Sequence, residues 1–213
     1  MTVTILSLSA RGAESVAVTF ELRCGEQVQR ESFLLSPAQV ADLGLCRGES
    51  NQACYDAVST CAQVYEAKKR GMILLGYGGC SEQALCRKLV AKGISREIAR
   101  MAVAELVSDG YVNPTADALR EAERCVAKEW GKRRIVATLR SKGYADDAIR
   151  AAMYALEDAE VDFVALCTER IQKQVGVVPS EPAARQKLFA SLERYGFSSA
   201  EIREAMRQLA ENS

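Results

Sequence analysis

A short motif that recurs three times constrains the fold of this 213-residue chain more than any other feature. Each copy has a leucine or isoleucine, a leucine four positions later, a glycine four positions after that, and then a bulky apolar residue. The copies are Leu85-Leu89-Gly93-Ile94, Ile135-Leu139-Gly143-Tyr144 and Leu188-Leu192-Gly196-Phe197. Consecutive glycines are 50 and 53 positions apart. Such a period is typical of tandem arrays of helical units.

The motif has a physical explanation in the way helices end. Apolar residues four apart share one helix face, and glycine readily adopts the left-handed conformation that closes a Schellman cap. In that cap the last leucine contacts the apolar residue after the glycine. A second helix can start at once, since Ser198 and Glu201 form a predicted capping box and Ser95 or Asp146 can cap the others. Each copy therefore predicts two helices and a tight turn, with room for a third helix.

The start of the chain predicts strands instead of helices. Residues 15–24 alternate apolar and polar side chains, as expected of a strand with one buried face. Residues 2–9 break this alternation, and a β-bulge there would restore it. The predicted strands span residues 2–9, 15–24 and 28–35. Because three short strands are not stable alone, we expect this meander to pack on a helix.

Helices dominate the prediction from Ser36-Pro37 onward, because this pair favours a helix start. The first helix ends near Gly44, and residues 47–50 form a loop. A long helix covers 51–76, with one face formed by Cys54, Val58, Cys61, Tyr65 and Met72. Further helices are expected at 81–92, 95–108, 115–129, 131–142, 146–157, 160–175, 183–195 and 198–211.

The expected fold class is mainly α. It is an elongated tandem array of three three-helix modules behind a small β-containing N-terminal region. The predicted boundaries are 1–50 for the meander and its short helix, 51–108 for the first helical module, 109–158 for the second and 159–213 for the third.

Cysteine usage and the N-terminus predict a cytoplasmic protein with reduced thiols. The chain has eight cysteines and no histidine, and it lacks the C-x-x-C pairs of zinc sites. A chain of this length needs no disulfide framework, and Cys54 and Cys61, seven apart on one helix face, are interpreted as small buried apolar residues. The start, MTVTILSL, lacks the features of a signal peptide, and no window approaches the roughly 18 apolar residues of a membrane span.

No enzyme signature is present. Histidine is absent as a general base, and the glycine-rich residues 76–79 lack the G-x-x-x-x-G-K-[ST] pattern of a P-loop. Acidic residues such as Asp146 and Asp147 are explained by the helix dipole. We therefore expect no catalytic residue, no metal site and no cofactor.

Clustered positive charge is the strongest functional candidate. The formal net charge is zero, yet residues 62–100 carry eight basic and three acidic side chains, and residues 128–142 carry six and one. Such asymmetry suggests an acidic or polyanionic partner. Three consecutive cations stand at a predicted helix start, where the dipole disfavours them; the alternative is a solvated helix face. The candidate contact residues are Lys132, Arg133, Arg134, Arg140 and Lys142, followed by Arg87, Lys88 and Lys92.

Two further features bear on these clusters. We expect the single tryptophan, Trp130, to be partly buried where one module meets the next. A helix-turn-helix DNA-binding unit is a rival interpretation of the helix pairs. It is disfavoured because the second helix of each pair is not basic: in the middle copy Asp146, Asp147, Glu157 and Asp158 oppose only Arg150.

The assembled residues resemble the RecX family, bacterial regulators of the RecA recombinase. The resemblance rests on SEQALCRKLVAKGISREIARMAVAELVSDGYVN (81–113), WGKRRIVATLRSKGYADDAIRAAMYAL (130–156) and RQKLFASLERYGFSSAEIREAM (185–206). With the joining helices it covers roughly residues 60–210. The chain departs from the family where Asn113-Pro114-Thr115 follows the G-Y-[LV] turn, since acidic residues and an aromatic usually stand there.

The resemblance implies a non-catalytic protein of recombination and DNA repair. Such a protein binds the RecA–DNA filament along its groove and restrains ATPase activity and strand exchange. It would contact single-stranded or double-stranded DNA weakly or through the filament, would not bind membranes, and would be a monomer. Two alternatives remain open: a nucleic-acid-binding module that needs no recombinase, and a helical scaffold for an unrelated protein.

Overall fold

A computed structural model describes residues 2–211 and confirms a mainly α chain with a small antiparallel sheet. The strands are β1 (Thr2–Ala10), β2 (Val16–Cys24), β3 (Gln27–Leu35) and β4 (Gly48–Ser50). The described helices are α1 (Pro37–Asp42), α2 (Gln52–Gly76), α3 (Glu82–Ala91), α4 (Arg96–Ser108), α5 (Pro114–Val126), α6 (Lys132–Ser141), α7 (Asp146–Asp158), α8 (Phe163–Val175), α9 (Pro182–Arg194) and α10 (Ser199–Glu211). Every predicted strand and helix is present, with bounds that differ by a few residues at most.

The described residues form two compact units. The first unit contains the chain up to Gly78 together with Leu85–Tyr111. The second contains Gly79–Ala84 and the chain from Val112 onward. The finer division into modules at 1–50, 51–108, 109–158 and 159–213 stays a prediction.

The sheet of the first unit has the strand order β3-β2-β1-β4 and packs on α2. The register of β1 shifts between Ile5 and Ser7, where the sequence predicted a bulge. Phe20 of β2 is fully buried, and its ring meets the Tyr55 ring of α2 edge-on at 5.4 Å. Aromatic contact and burial therefore supply the helix support that a small meander needs.

Two details of the first unit contradict the sequence prediction. Gly48–Ser50 is a strand and not a loop, because it pairs with the free edge of β1, and a Gly-Glu-Ser segment carries no apolar alternation that would reveal this. Met72 is 40% exposed and does not join the buried face of α2. The buried face contains Gly71 instead, and a Cβ added to Gly71 would lie 2.6 Å from Leu106 of α4.

The three motif glycines end helices as predicted. Gly93, Gly143 and Gly196 have φ angles of 87°, 84° and 94°. At Gly143 the amide donates to the Arg140 carbonyl at 2.9 Å, and the amide of the next residue donates to the Leu139 carbonyl at 3.1 Å. The other two turns repeat both hydrogen bonds, which together define a Schellman cap.

The helix starts that follow these glycines are capped in different ways. Ser198 and Glu201 form the predicted capping box, and Ser95 accepts from the Ile98 amide. The prediction that Asp146 caps α7 is wrong. Ala145 occupies the N-cap without a side-chain hydrogen bond, and the Asp146 carboxylate pairs with Arg140.

The second unit holds two apolar cores. One is shared by α5, α6 and α7, and it includes the fully buried Ile135 and Leu139. The other is shared by α8, α9 and α10, and it includes Leu192 and Phe197. The leucines and bulky residues of the repeated motif therefore form the centre of each helix trio.

Candidate partner-binding surface

The start of α6 rests on the turn between α9 and α10. The Gly131 amide donates to the Tyr195 carbonyl at 2.9 Å, and the Arg133 amide donates to the Gly196 carbonyl at 3.1 Å. The two backbones approach so closely that a Cβ added to Gly131 would lie 2.3 Å from the Gly196 backbone. Glycine is therefore required at Gly131, although its φ of −74° suits any residue.

A second contact of the same kind joins the start of α3 to the turn between α6 and α7. The buried hydroxyl of Ser81 donates to the Lys142 carbonyl at 2.6 Å and accepts from the Ala84 amide at 3.1 Å. A Cβ added to Gly143 would lie 2.1 Å from Gln83 Oε1. The turns at Gly143 and Gly196 thus have two roles, since each ends one helix and contacts the start of another.

This packing changes the electrostatic environment of the consecutive cations at the start of α6. The carbonyls of Tyr195 and Gly196 lie at the C-terminal, negative end of α9 and face the N-terminal, positive end of α6. The consecutive cations that begin at Lys132 therefore stand near compensating carbonyls. Their placement is explained without a partner, so it does not by itself indicate a binding site.

Arg134 belongs to an aromatic stack inside the second unit. Its guanidinium lies 4.1 Å from the centre of the Trp130 ring and 5.1 Å from the centre of the Tyr195 ring. The guanidinium of Arg170 lies 3.8 Å from the same Tyr195 ring. Trp130 is half-buried, as predicted. Because guanidinium–aromatic contacts of this kind are stabilising, we assign Arg134 to packing.

Glu129 is a buried anion that the sequence prediction missed. It adopts a left-handed conformation with φ of 56°, and it is 8% exposed. Its carboxylate accepts a hydrogen bond from Lys173, which raises the pKa of that lysine, and lies 3.7 Å from Arg170. The sequence did carry a signal. Cys125, Glu129 and Trp130 have the same spacing as the last leucine, the glycine and the bulky apolar residue of the repeated motif, so Glu129 stands where the motif has glycine.

Three of the candidate cations are paired with carboxylates. The pairs are Lys132 with Glu157 at 2.8 Å, Arg140 with Asp146 at 3.1 Å and Lys142 with Glu121 at 2.6 Å. Glu121 is buried, so Lys142 neutralises an internal anion. The side chains of Arg140 and Asp146 are 64% and 68% exposed, and a pair of this kind contributes only ~0–1 kcal/mol. Arg140 is therefore available to a partner at little cost.

Arg133 differs from the other candidates in α6. Its side chain is exposed and forms no ion pair within residues 2–211. It lies seven positions before Arg140, which places both side chains on one helix face about 10.5 Å apart along the axis. We call this exposed face, defined by Arg133 and Arg140, the α6 basic face.

The secondary candidates lie in the first unit. Arg87 and Lys88 belong to α3, and Lys92 follows its last residue; all three are exposed. Lys88 and Lys92 are four apart and form no ion pair among the residues that the structure describes. They share a face that remains open to an acidic partner.

Tyr154 is a second residue that sequence reasoning missed. It is 71% exposed and lines an open groove between α6 and α7. The charged side chains that line this groove are two arginines and two carboxylates, namely Arg140, Arg150, Asp146 and Glu157. An exposed aromatic ring beside arginine is typical of sites that stack nucleic-acid bases. The signal was present, because Tyr154 lies off the buried stripe of α7, which contains Ala152 and Leu156.

The described residues offer little for other chemistries. No group of three or more metal-ligating side chains occurs in residues 2–211. All eight cysteines are free, and burial raises the pKa of Cys167 to about 12, so that thiol stays protonated. None of the described helices combines the length and apolarity that crossing a membrane requires.

Comparisons with known proteins place these features in a family. Regulatory protein RecX of Xanthomonas axonopodis pv. citri (strain 306) is 31% identical over 128 residues, which are 60% of this chain and 77% of that protein. Regulatory protein RecX of Stenotrophomonas maltophilia (strain R551-3) is 33% identical over 132 residues, with the same shares. No protein-family model matches the chain.

Two solved structures share the fold. A crystal structure of regulatory protein RecX has a TM-score of 0.69 and 19% identity, over 97% of this chain and 99% of that one. RecX from Lactobacillus salivarius has a TM-score of 0.58 and 17% identity, over 70% of this chain and 97% of that one.

Proposed function

This chain belongs to the RecX family of regulatory proteins, and we propose that it binds RecA–DNA filaments and inhibits or modulates their ATPase activity and strand exchange. It would act without catalysis, in recombination and DNA repair, as a cytoplasmic monomer. The observation that carries the proposal beyond the family is the α6 basic face. Arg133 has no ion pair within residues 2–211, and Arg140 has only an exposed one.

Side chains rather than backbone amides make the contact in this proposal. The start of a helix often binds phosphate through free amides. In α6 the amides of Gly131 and Arg133 are already hydrogen-bonded to the α9–α10 turn. Arg133 and Arg140 therefore meet acidic groups of RecA or DNA phosphates directly, and binding weakens as salt concentration rises.

In this proposal, DNA contacts the groove between α6 and α7, beside the α6 basic face. Tyr154 stacks on an exposed base, while Arg140 and Arg150 line the same groove and contact the adjoining phosphates. Such contacts carry no sequence preference, because stacking and phosphate binding do not distinguish bases. A weak contribution of DNA to filament binding follows.

The test compares substitutions that differ in their internal contacts. Replacing Lys132, Arg133 and Arg134 together with alanine would also remove the stack of Arg134 on Trp130. The variant R133A/R140A avoids that loss. We expect it to keep the wild-type circular dichroism and melting temperature, and to need about tenfold more protein for half-maximal inhibition of RecA ATPase activity on single-stranded DNA.

A matched control is available on α10. Arg203 is exposed and forms no ion pair in the part of the chain that the structure describes. R203A should inhibit as the wild type does. Equal inhibition by R133A/R140A and the wild type would remove the α6 basic face from the account.

A further inference from the structure

An open groove in the second unit has no role in the proposal above. It comprises about 710 Å³ between the C-terminal end of α8, the segment that follows, and α9. Val175, Pro179 and Leu188 supply apolar surface to it. Its volume falls within the roughly 300–1,000 Å³ of clefts that bind small ligands.

The charged side chains that line this groove are all basic. Lys187 and Arg194 line it, and no acidic side chain does. Both are exposed, and neither forms an ion pair or side-chain hydrogen bond within residues 2–211. By contrast, Arg207 on α10 is paired with Glu204 and Glu211. The groove therefore presents two cations that lack internal carboxylates.

The backbone positions of the two cations are fixed relative to the apolar surface, because both residues belong to α9. They are seven positions apart, so they share one face of α9 about 10.5 Å apart along the axis. Gln174 of α8 donates to the Ser191 hydroxyl at 3.2 Å, midway between them. Leu188 is buried in the core of the α8–α10 trio. A site on packed helices needs little reorganisation to bind.

We propose that this groove binds an acidic peptide segment of a partner protein, with two carboxylates on Lys187 and Arg194 and an apolar side chain on the surface between α8 and α9. An extended polyproline II segment fits the spacing, because residues three apart lie on one side of it about 9.3 Å apart. An intervening side chain then points toward Val175 and Pro179.

Nucleic acid fits the groove less well than a peptide. Single-strand sites combine positive charge with aromatic rings on which bases stack. No aromatic residue lines this groove, whereas one lines the groove beside the α6 basic face. This site goes beyond the proposed filament binding, which does not require it, and its test contains no RecA.

The probe is a synthetic peptide, Gly-Ser-Glu-Leu-Ser-Glu-Gly-Ser, with its two glutamates three positions apart. Titration into the full chain, followed by backbone amide NMR, should shift the amides of α9 and saturate with a Kd of about 1 mM or tighter. The same peptide with glutamine at both acidic positions should bind at least about tenfold more weakly, because the ion pairs are lost. A peptide without the leucine should also bind more weakly.

Charge reversals on α9 locate the site. R194E should raise the Kd for the peptide at least about tenfold. R185E is the control, since Arg185 is exposed on the same helix but does not line the groove; it should change the Kd less than about threefold.

Three results would overturn the proposal. They are the absence of α9 shifts with the acidic peptide at low salt, equal effects of R194E and R185E, and tighter Arg194-dependent binding of a ten-nucleotide oligothymidylate, which would assign the groove to nucleic acid. Failure of filament binding would leave these outcomes unchanged, so the two proposals are tested separately.

Discussion

Gly196 meets two requirements that no other residue type satisfies together. Its φ is 94°, and a Cβ at this position would lie 2.4 Å from the Arg134 amide nitrogen. Gly176, in the same unit, has a φ of 73° but no atom within 4 Å of an added Cβ. The two glycines therefore separate the cost of backbone strain from the cost of a clash.

We predict that G196A lowers the free energy of unfolding by about 2–4 kcal/mol, which combines left-handed strain with overpacking. G176A should cost only about 1 kcal/mol, from strain alone. Urea denaturation followed by Trp130 fluorescence measures both. Equal losses would mean that the α9–α10 turn does not approach α6 as closely as described.

Tyr144 couples the stability of the second unit to pH. Burial, followed by the nearby charges of Asp117 and Glu121, raises the pKa of this phenol to about 12, above the value near 10 of an exposed tyrosine. The folded state therefore favours the neutral phenol. The stability that results is complete below about pH 10 and is lost as pH rises toward 12.

Comparison with Y144F isolates this effect. Between pH 9 and pH 11 the wild type should lose about 1 kcal/mol more stability than Y144F, because phenylalanine has no proton to release. Urea denaturation at both pH values measures the difference. Parallel losses in the two proteins would contradict a neutral buried phenol.

Sequence reasoning at the residue scale succeeded where chemistry is local. The motif glycines were predictable, because a left-handed cap depends on a few adjacent residues. The role of Arg134 was not, since its ring partner Tyr195 lies 61 positions away in the chain. Glu129 was missed because a glutamate at a left-handed position contradicts local preference and is compensated by distant Lys173.

Helix starts that pack on glycine turns are the recurring contact at the scale of elements. Ser81 serves this contact in α3: its hydroxyl caps the helix and also donates to the Lys142 carbonyl. Ser198, at the start of α10, serves a capping box with Glu201. Ser81 differs from Ser198 by its additional hydrogen bond to the turn between α6 and α7.

We predict that S81A lowers the free energy of unfolding by about 2 kcal/mol, since it loses a cap and a buried hydrogen bond. S198A should cost about 1 kcal/mol, the usual cost of a lost cap. Thermal and urea unfolding of both variants measure the difference. A smaller loss for S81A than for S198A would show that the contact with Lys142 contributes nothing.

Helices and strands with a strong periodic pattern of apolar residues were predicted correctly, and a segment without such a pattern was not. The helices were predictable because apolar spacing, caps and glycine turns agree with one another. β4 was not, because its pairing is imposed by the edge of β1 and not by its own residues. The misplaced Met72 has a related cause, since the buried face of α2 is set by Leu106 on another helix.

At the scale of the whole molecule, the repeated motif and basic clusters were sufficient to suggest the family, and the comparisons establish it. The sequence did not reveal which cations are available. Lys142 and Arg134 are engaged by Glu121 of α5 and by Tyr195, which follows α9, and those contacts depend on the packing of separate helices. Exposure of Arg133 and Arg140 became apparent only with the fold.

Co-sedimentation with RecA filaments tests the central claim most directly. At about 0.1 M salt the wild-type chain should pellet with RecA assembled on single-stranded DNA, and far less with the same DNA alone. R133A/R140A should pellet at least about fivefold less than R203A, since only the former removes the α6 basic face. A wild-type chain that stays in the supernatant with RecA filaments, or that pellets equally with bare DNA, would contradict the account.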